Sequence, residues 1–322
     1  MRNEYIHTAP KVAIVSVNFN QPEFTRIMLE SLRKITYPNV ETWVVDNGST
    51  KGDLEAIATE FPEVHFIFSE KNYGFAGGNN LALERLEADY VLLLNNDTEV
   101  DPGFLEPMVD RLEKHQEVGI VSPKIFFFDQ PDTLQYAGTT PIHPITNRGK
   151  KFGYGEKDHG QFDEKSETAY PNGACMLFRG RFLQEVGLIH EQYFLYYEEH
   201  DFTWKIKERG NEVNLQPASK IWHKVSASTG KNSPLKTYYL HRNRQMFNRR
   251  NLSGMTFLLS SLYYFLFATP KALIQHMLKG DMSLASKVWE ATIWHAKHLA
   301  LPKGRLSESA DIKWVKPKEQ WV

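Results

Sequence analysis

The sequence predicts an α/β protein: a mostly parallel sheet with helices on both faces, followed by a helical C-terminal extension. Two patterns carry this expectation. Between residues 10 and 100, short β-branched apolar runs alternate with amphipathic helical stretches, as in strand–helix–strand units. After Ser233 the periodicity becomes helical and stays so to about residue 300. With 41% hydrophobic and 24% charged residues, the composition is that of a globular chain and excludes disorder.

The elements follow in order. KVAIVSV, Lys11 to Val17, is a buried strand. Pro22 then opens a helix with Phe24, Ile27, Met28, Leu32 and Ile35 on one stripe, proline being suited to a first helical turn. ETWVVD is the second strand, Asp53 to about Phe61 a short helix, and VHFIF the third strand. A glycine-rich turn, NYGFAGGNN, leads into the helical pattern LALERLEA, and YVLLL is the fourth strand. The middle mixes short strands with irregular loops; residues 141 to 167 read as a mobile, charged loop. No internal repeat is present.

In open α/β sheets, ligands bind outside the carboxyl ends of the strands. The polar clusters of the first half fall at those ends: Asn18-Phe19-Asn20, Asp46-Asn47-Gly48-Ser49, Asn72 to Asn80, and Asn95-Asn96-Asp97. Any one alone is what a turn selects. Four tips pointing the same way make a site. The first strand is followed by NFNQPEF, not GxGxxG, which counts against a dehydrogenase. It is not a glycine- and arginine-rich phosphate loop either, which counts against a nucleotidyltransferase.

A length of 322 residues exceeds what one core usually absorbs. The expected division is a catalytic domain over 1–232, with a nucleotide-sugar half (about 10–100) and an acceptor half (about 101–232), then an extension over 233–322. A net charge of -1 gives no global drive toward nucleic acid. One cysteine, Cys175, permits no intrachain disulfide, and the polar N-terminus lacks a signal peptide's apolar segment. The expected location is cytoplasmic, with the inner face of the membrane as the alternative.

IVSVNFN, VVDNGS, NYGFAGGNN, LLLNND and FLYYEEHDFTWK occur here in that order. In order and spacing the chain resembles the family two inverting glycosyltransferases, closest to the bacterial branch that includes rhamnosyltransferases, over about residues 10 to 250. The resemblance implies a GT-A-like, Rossmann-type mixed sheet with flanking helices. It also implies a nucleotide-sugar donor, dTDP-rhamnose first and UDP-hexoses next, and a glycan or lipid-linked glycan acceptor in cell-surface polysaccharide assembly.

Asp97 stands where that family carries its Asp-x-Asp motif; here the motif reads Asn95-Asn96-Asp97. A hard cation, Mg²⁺ or Mn²⁺, bridges a donor's diphosphate to such a carboxylate, and with Asn95 in the first acidic position Asp97 is the main protein ligand. Its alternative is a helix cap before Pro102. His223, in KIWHKVSAST, stands where a histidine in related enzymes completes the metal site or touches the diphosphate, though a lone histidine is more often structural. Lys224, Ser226 and Ser228 beside it are phosphate ligands or simply solvated. Asp46 is placed to accept from a base or ribose, or to close an Asx turn. Val17, Phe19, Asn20, Asn72, Gly78, Asn80, Asn95 and Asn96 complete the candidate nucleotide-binding set; glycine lets backbone approach a ligand closely.

Glu198-Glu199-His200-Asp201 opens a helix, where negative charge also suits the dipole. A positioned carboxylate can take the acceptor's proton. Aligned with the family's acidic motif, Glu199 is the expected catalytic base, with Glu198 and Asp201 as rivals. Asn172-Gly173-Ala174 resembles the segment ahead of the acceptor site, and Cys175, among apolar neighbours, reads as buried and inert.

HRNRQMFNRR, residues 241 to 250, sets four arginines beside the apolar FLLSSLYYFLF. Residues 241–279 fit a helix lying in a membrane interface. They fit equally a core helix, a homodimer contact, or an arginine cradle for a lipid-linked diphosphate. The sequence does not separate these.

Overall fold

A computed structural model describes residues 9–224 and 233–298. Strand β1 (Val12–Asn18) is apolar in both registers because both of its faces are covered. Val12 and Ile14 pack toward α1 (Pro22–Leu32), through Met28 and Leu29. Ala13 and Val15 pack on the other face. The chain continues through β2 (Val40–Asn47), α2 (Leu54–Glu60), β3 (His65–Ser69), α3 (Gly74–Leu83) and β4 (Tyr90–Leu94). Pro22 lies in the first turn of α1, and Asp53 caps α2 by accepting from Ala56 N at 2.8 Å.

These four strands lie in the order β3-β2-β1-β4, all parallel. Then come β5 (Thr98–Val100), α4 (Leu105–Lys114), β6 (Val118–Phe127), β7 (Gln130–Tyr136), β8 (Cys175–Arg179), α5 (Phe182–Glu185), α6 (Glu198–Lys207) and β9 (Glu212–His223). They extend the sheet as β8-β6-β9-β5, with β7 paired to β6. β8 runs antiparallel to β4, while β9 runs parallel to β6 and antiparallel to β5. The result is the mixed sheet with flanking helices that the resemblance implies.

Two local expectations change. The glycine-rich stretch is not a turn leading into a helix; it is the helix, since α3 holds GFAGGNNLAL and ends before ERLEA. Glycine costs a helix about 1 kcal/mol, but a Cβ at Gly78 would lie 2.9 Å from Val17 Cγ1 and 3.1 Å from Asn47 Nδ2. Its absence lets α3 lie against β1 and β2. Residues 141–167 are irregular but tied down rather than free. Thr139 pairs with Lys151, Thr133 with Lys157 and Glu167 with Asn214. The fully buried Lys124 ammonium donates to Asp158 at 2.9 and 3.0 Å and also to Asp163.

The extension consists of α7 (Pro234–Asn251), α8 (Gly254–Tyr263), a π turn (Tyr264–Ala268), α9 (Thr269–Leu278) and α10 (Met282–Lys297). From Gly254 to Leu278 the helix is continuous over 25 residues. Pro270 lies in the first turn of α9 rather than ending the helix, because the widened turn before it accommodates the missing donor.

The arginines of α7 are not surface cations. Arg242, Arg249 and Arg250 are all buried. Arg250 donates to both oxygens of Asp201, Nε to Oδ1 at 3.0 Å and Nη2 to Oδ2 at 3.2 Å. Asn251 Nδ2 and Tyr193 Oη also donate to Asp201 Oδ1, at 2.8 and 2.9 Å. These bonds hold the extension against α6, so the division expected at residue 232 marks no break in packing. We expect Asp201→Asn, which strands the Arg250 charge, to lower the free energy of urea unfolding by about 3 kcal/mol. A change within about 0.5 kcal/mol would remove the pair from this role.

Candidate active site

The parallel strands deliver their polar tips to one rim, as the sequence predicts. Asn18 and Asp46 are register partners on β1 and β2. Asn18, fully buried, is the hub. Its amide donates to Asp46 Oδ1 at 3.2 Å and Ser49 Oγ at 3.1 Å, and its Oδ1 accepts from Thr25 Oγ1 at 3.0 Å and Asn96 Nδ2 at 3.3 Å. Asp46 Oδ1 is thereby engaged, while Oδ2 takes no hydrogen bond from the described residues.

Several of the predicted nucleotide contacts make hydrogen bonds that hold the rim together. Asn20, with φ 57°, accepts from Thr50 N and Lys51 N at 2.7 and 2.9 Å. Asn72 Oδ1 accepts from Asn47 Nδ2 at 3.0 Å and Gly74 N at 2.8 Å. Asn80 is saturated by Ile189 and Glu191. Asn96 is buried against Asn18 and Thr25. Val17 and Gly78 pack on each other, and Phe19 is half-buried at the tip of β1.

Asp97 caps no helix. It precedes β5, whose Thr98 is paired across the ladder with His223 at the end of β9. This brings His223 Nε2 to 3.1 Å from Asp97 Oδ1. His223 Nδ1 lies 2.8 Å from Gln135 Oε1, an amide oxygen that accepts only, and His223 Nε2 also lies 3.4 Å from Asn95 Nδ2. Asp97 Oδ1 is buried without a hydrogen-bond partner among the described residues, as is Asn95 Oδ1. A buried carboxylate oxygen beside an imidazole nitrogen is an arrangement that a bound cation would stabilise.

Among the described residues no group of three or more His, Cys, Asp or Glu side chains surrounds this point. That donor set fits a hard divalent cation that completes its shell with phosphate and water oxygens. Lys224 N donates to Asp97 O at 2.9 Å, while its ammonium lies 3.6 Å from Glu99 and 3.9 Å from the centre of the Phe128 ring. Ser226 and Ser228 lie outside the described residues.

The acidic cluster begins α6, preceded by a strained loop. Phe194, Tyr196 and Tyr197 have φ of 61°, 69° and 75°, a conformation that disfavours side-chain-bearing residues. Asn243 of α7 spans that loop, its Nδ2 donating to the carbonyls of Tyr193, Leu195 and Tyr196 at 2.8, 2.7 and 2.7 Å. Arg242 adds a bond to Tyr193 O at 3.0 Å.

The three acids then differ sharply. Asp201 is 1% exposed and fully engaged by Arg250, Asn251 and Tyr193. Burial, and then the charge of Glu199, push the Glu198 carboxyl well above the ordinary carboxylate range. Burial pushes Glu199 up as well, but His200 and, more weakly, Lys151 outweigh it and hold its carboxyl below the usual value. His200 Nδ1 lies 3.1 Å from Glu199 Oε1, and 19% of the Glu199 side chain is exposed. Environments that separate two neighbouring carboxyls in this way assign one as acid and the other as base. A Cβ on Gly173 would lie 3.8 Å from Glu199 Cδ, so this segment packs against Glu199. Asn95 N donates to Ala174 O at 2.9 Å, so one backbone hydrogen bond joins the Asp97 tip to that segment. Cys175 is fully buried, its thiol pushed up by burial.

Sequence reasoning left Asn18 without a role of its own, saw Arg242 only as one of four cations, and missed Gln135 and Asn243 altogether. Asn18 had a signal, an amide ending a fully apolar strand. The others had none, since Gln135 lies 88 positions from His223 and Asn243 lies 47 to 50 from its acceptors.

A raised carboxyl pKa stabilises the fold below the ordinary carboxylate range, and that contribution is lost as pH rises through the raised value. Glu198→Gln, which fixes the neutral form, should therefore flatten the decline of the melting temperature above about pH 4.3. Parallel wild-type and variant melting curves across pH would contradict a neutral Glu198.

The model of glycosyl transferase family 2 matches residues 13–187. An N-acetylglucosaminyl-diphospho-decaprenol L-rhamnosyltransferase of Mycobacterium tuberculosis is 22% identical over 263 residues, covering 75% of this chain and 85% of that one. A low-salt glycan biosynthesis hexosyltransferase of Haloferax volcanii is 24% identical over 241 residues, covering 72% and 74%. Among solved structures, a mannosyltransferase from Pyrobaculum calidifontis in complex with GDP-Man and Mn²⁺ aligns with TM-score 0.55 and 16% identity, over 92% of this chain and 81% of that one. Residues 1–349 of S. aureus TarS align with TM-score 0.52 and 14% identity, over 88% and 91%. Both likenesses are of fold, the GT-A sheet with its flanking helices. The chain belongs to glycosyl transferase family 2 and is a glycosyltransferase.

Proposed function

We propose that the protein transfers a sugar from a nucleoside diphosphate donor to an acceptor hydroxyl by a single displacement that inverts the anomeric centre. One observation carries this reading. The tip that carries Asp97, whose Oδ1 is buried, is joined by the hydrogen bond from Asn95 N to Ala174 O to the segment whose Gly173 packs against Glu199, a carboxyl held below its usual range. That proximity supports reading a diphosphate site and a base as parts of one site.

Asp97 and His223 would hold Mg²⁺ or Mn²⁺, which supplies charge to offset the departing diphosphate. Asp46 Oδ2 and the free amide of Asn72 would take the nucleoside. Glu199 would accept the acceptor's hydroxyl proton as its oxygen bonds to the anomeric carbon and the bond to the diphosphate breaks. Glu198, neutral, adds no second charge, and Asp201, paired to Arg250, positions the helix rather than moving a proton. Arg244 of α7 is half-buried and its Nε donates to Tyr197 Oη, just ahead of the acidic helix, at 3.3 Å; it would suit an acceptor diphosphate.

The name of the Mycobacterium tuberculosis relative supports rhamnose as the sugar and a lipid-linked diphosphate sugar as the acceptor, in cell-surface glycan assembly. A dTDP-rhamnose donor is the first reading, and UDP-hexoses, supported by the hexosyltransferase relative, the second. A binding module without turnover is disfavoured by the separated pair Glu198 and Glu199, which simple binding does not require.

Two variants test the assignments. By calorimetry, Asp97→Ala should abolish the Mn²⁺ dependence of nucleoside diphosphate binding; unchanged metal-dependent binding would exclude Asp97 as its ligand. Glu199→Gln should keep donor binding and lose at least about a hundredfold in transfer, scored as nucleotide release across dTDP-, UDP- and GDP-sugars. Near-normal release would move the role to Glu198.

A further inference from the structure

The continuous helix Gly254–Leu278 wears its polarity inside out. Its inward face carries the polar groups. Ser260 Oγ accepts from Asn248 Nδ2 at 2.6 Å and donates to Ile145 O at 2.8 Å, and Tyr264 Oη donates to His241 O at 3.2 Å. Its outward face is apolar, with Met255, Leu259, Leu262, Leu266, Ile274 and Leu278 each 41–83% exposed. A helix on a water-facing surface has the opposite pattern.

The π turn keeps this stripe straight. Met255 and Leu278 are 23 residues apart. At about 100° per residue an unbroken α-helix would carry Leu278 about 140° round from Met255. The extra residue of a π turn, at Tyr264–Ala268, takes back about 100° of that. The one irregularity in the helix thus serves the exposed face, not the core.

The helix that carries the stripe has only positive charges. From residue 213 to residue 280 the chain has no Asp or Glu and ten Lys or Arg. Three of those arginines are buried, but Lys271 and Lys279 are exposed, on the helix and at its end. The next acids are Asp281, and Glu290, which is paired to Lys287 at 2.9 Å. Trp289 on α10 is also exposed, as suits an aromatic at a bilayer surface.

We infer that α8 and α9 lie along the surface of an anionic bilayer, the stripe among the acyl chains and Lys271 and Lys279 at lipid phosphates. The helix is long and apolar enough to span a bilayer, but a span would break the inward bonds of Ser260 and Tyr264. Pairing with a second copy would bring two acid-free faces together with no counter-charge. The lipid surface supplies both the apolar phase and the negative charge.

The test is sedimentation of the full chain with phosphatidylglycerol/phosphatidylcholine vesicles and with phosphatidylcholine alone. The protein should pellet with the anionic vesicles and bind the neutral ones at least tenfold more weakly. Leu262→Glu with Leu266→Glu should abolish pelleting while donor hydrolysis and the melting curve stay unchanged. Lys271→Glu with Lys279→Glu, which leaves the stripe intact, should weaken anionic binding several-fold.

Three results overturn the inference. One is soluble protein that ignores anionic vesicles, including a dimer dissolved by the leucine variants, which assigns the face to a second copy. Another is pelleting that the leucine variants leave intact. The third is resistance to alkaline carbonate extraction, which marks a span. Vesicle binding is read without turnover, so its failure and the failure of the glycosyltransfer reading are separate.

Discussion

The acidic end of α6 depends on a contact made from 50 residues away. Three side-chain-bearing residues in left-handed backbone do not hold themselves there, since each costs about 1–3 kcal/mol unless its surroundings fix it. Asn243 fixes them with one amide nitrogen shared among three carbonyls, while Arg250 neutralises Asp201 one turn into the helix. Both come from α7. The loop aims Glu198 and Glu199, the helix behind it is braced by a buried ion pair, and the paired Asp201 is thereby withdrawn from proton transfer.

The same economy of charge governs the donor side. Asp97 and His223 meet because β5 and β9 are paired antiparallel, so their proximity is a register effect. Had the ladder slipped by one residue, the imidazole would face the other side of the sheet. Gln135 then orients the ring beside the buried Asp97 carboxylate. Among the described residues, Asp97 Oδ1 and Asn95 Oδ1 on one side, and Glu198 Oε2 and Glu199 Oε2 on the other, are buried without a hydrogen-bond partner. Ligands can be recognised there because the protein has not already used those atoms.

Much of the sheet was legible because β1 to β4 and their helices are local units whose period betrays them. The rim followed from topology: polar tips on parallel strands must share one edge. What the sequence misjudged was partnership. The glycines of α3 looked like a turn because propensity is local, while the reason for them, the closeness of Val17 and Asn47, is tertiary. Asn20, Asn80 and Asn96 looked like ligand contacts because an amide at a strand tip serves either purpose. The arginines of α7 were visible as charge, yet nothing in HRNRQMFNRR says that Asp201 lies across from Arg250. Periodicity reports which face is buried, not against what.

The bracing of the acidic loop by α7 bears on how such a chain can be recombined. The end of β9 looks like a seam, where a catalytic half could be separated from a helical appendage and joined to another. The bonds from Asn243, Arg242 and Arg250 cross that seam. A chimera joined there would inherit the donor rim intact, yet aim its two glutamates by whatever helix it was given. Changing the tail of this enzyme is therefore a way of changing how Glu198 and Glu199 are aimed.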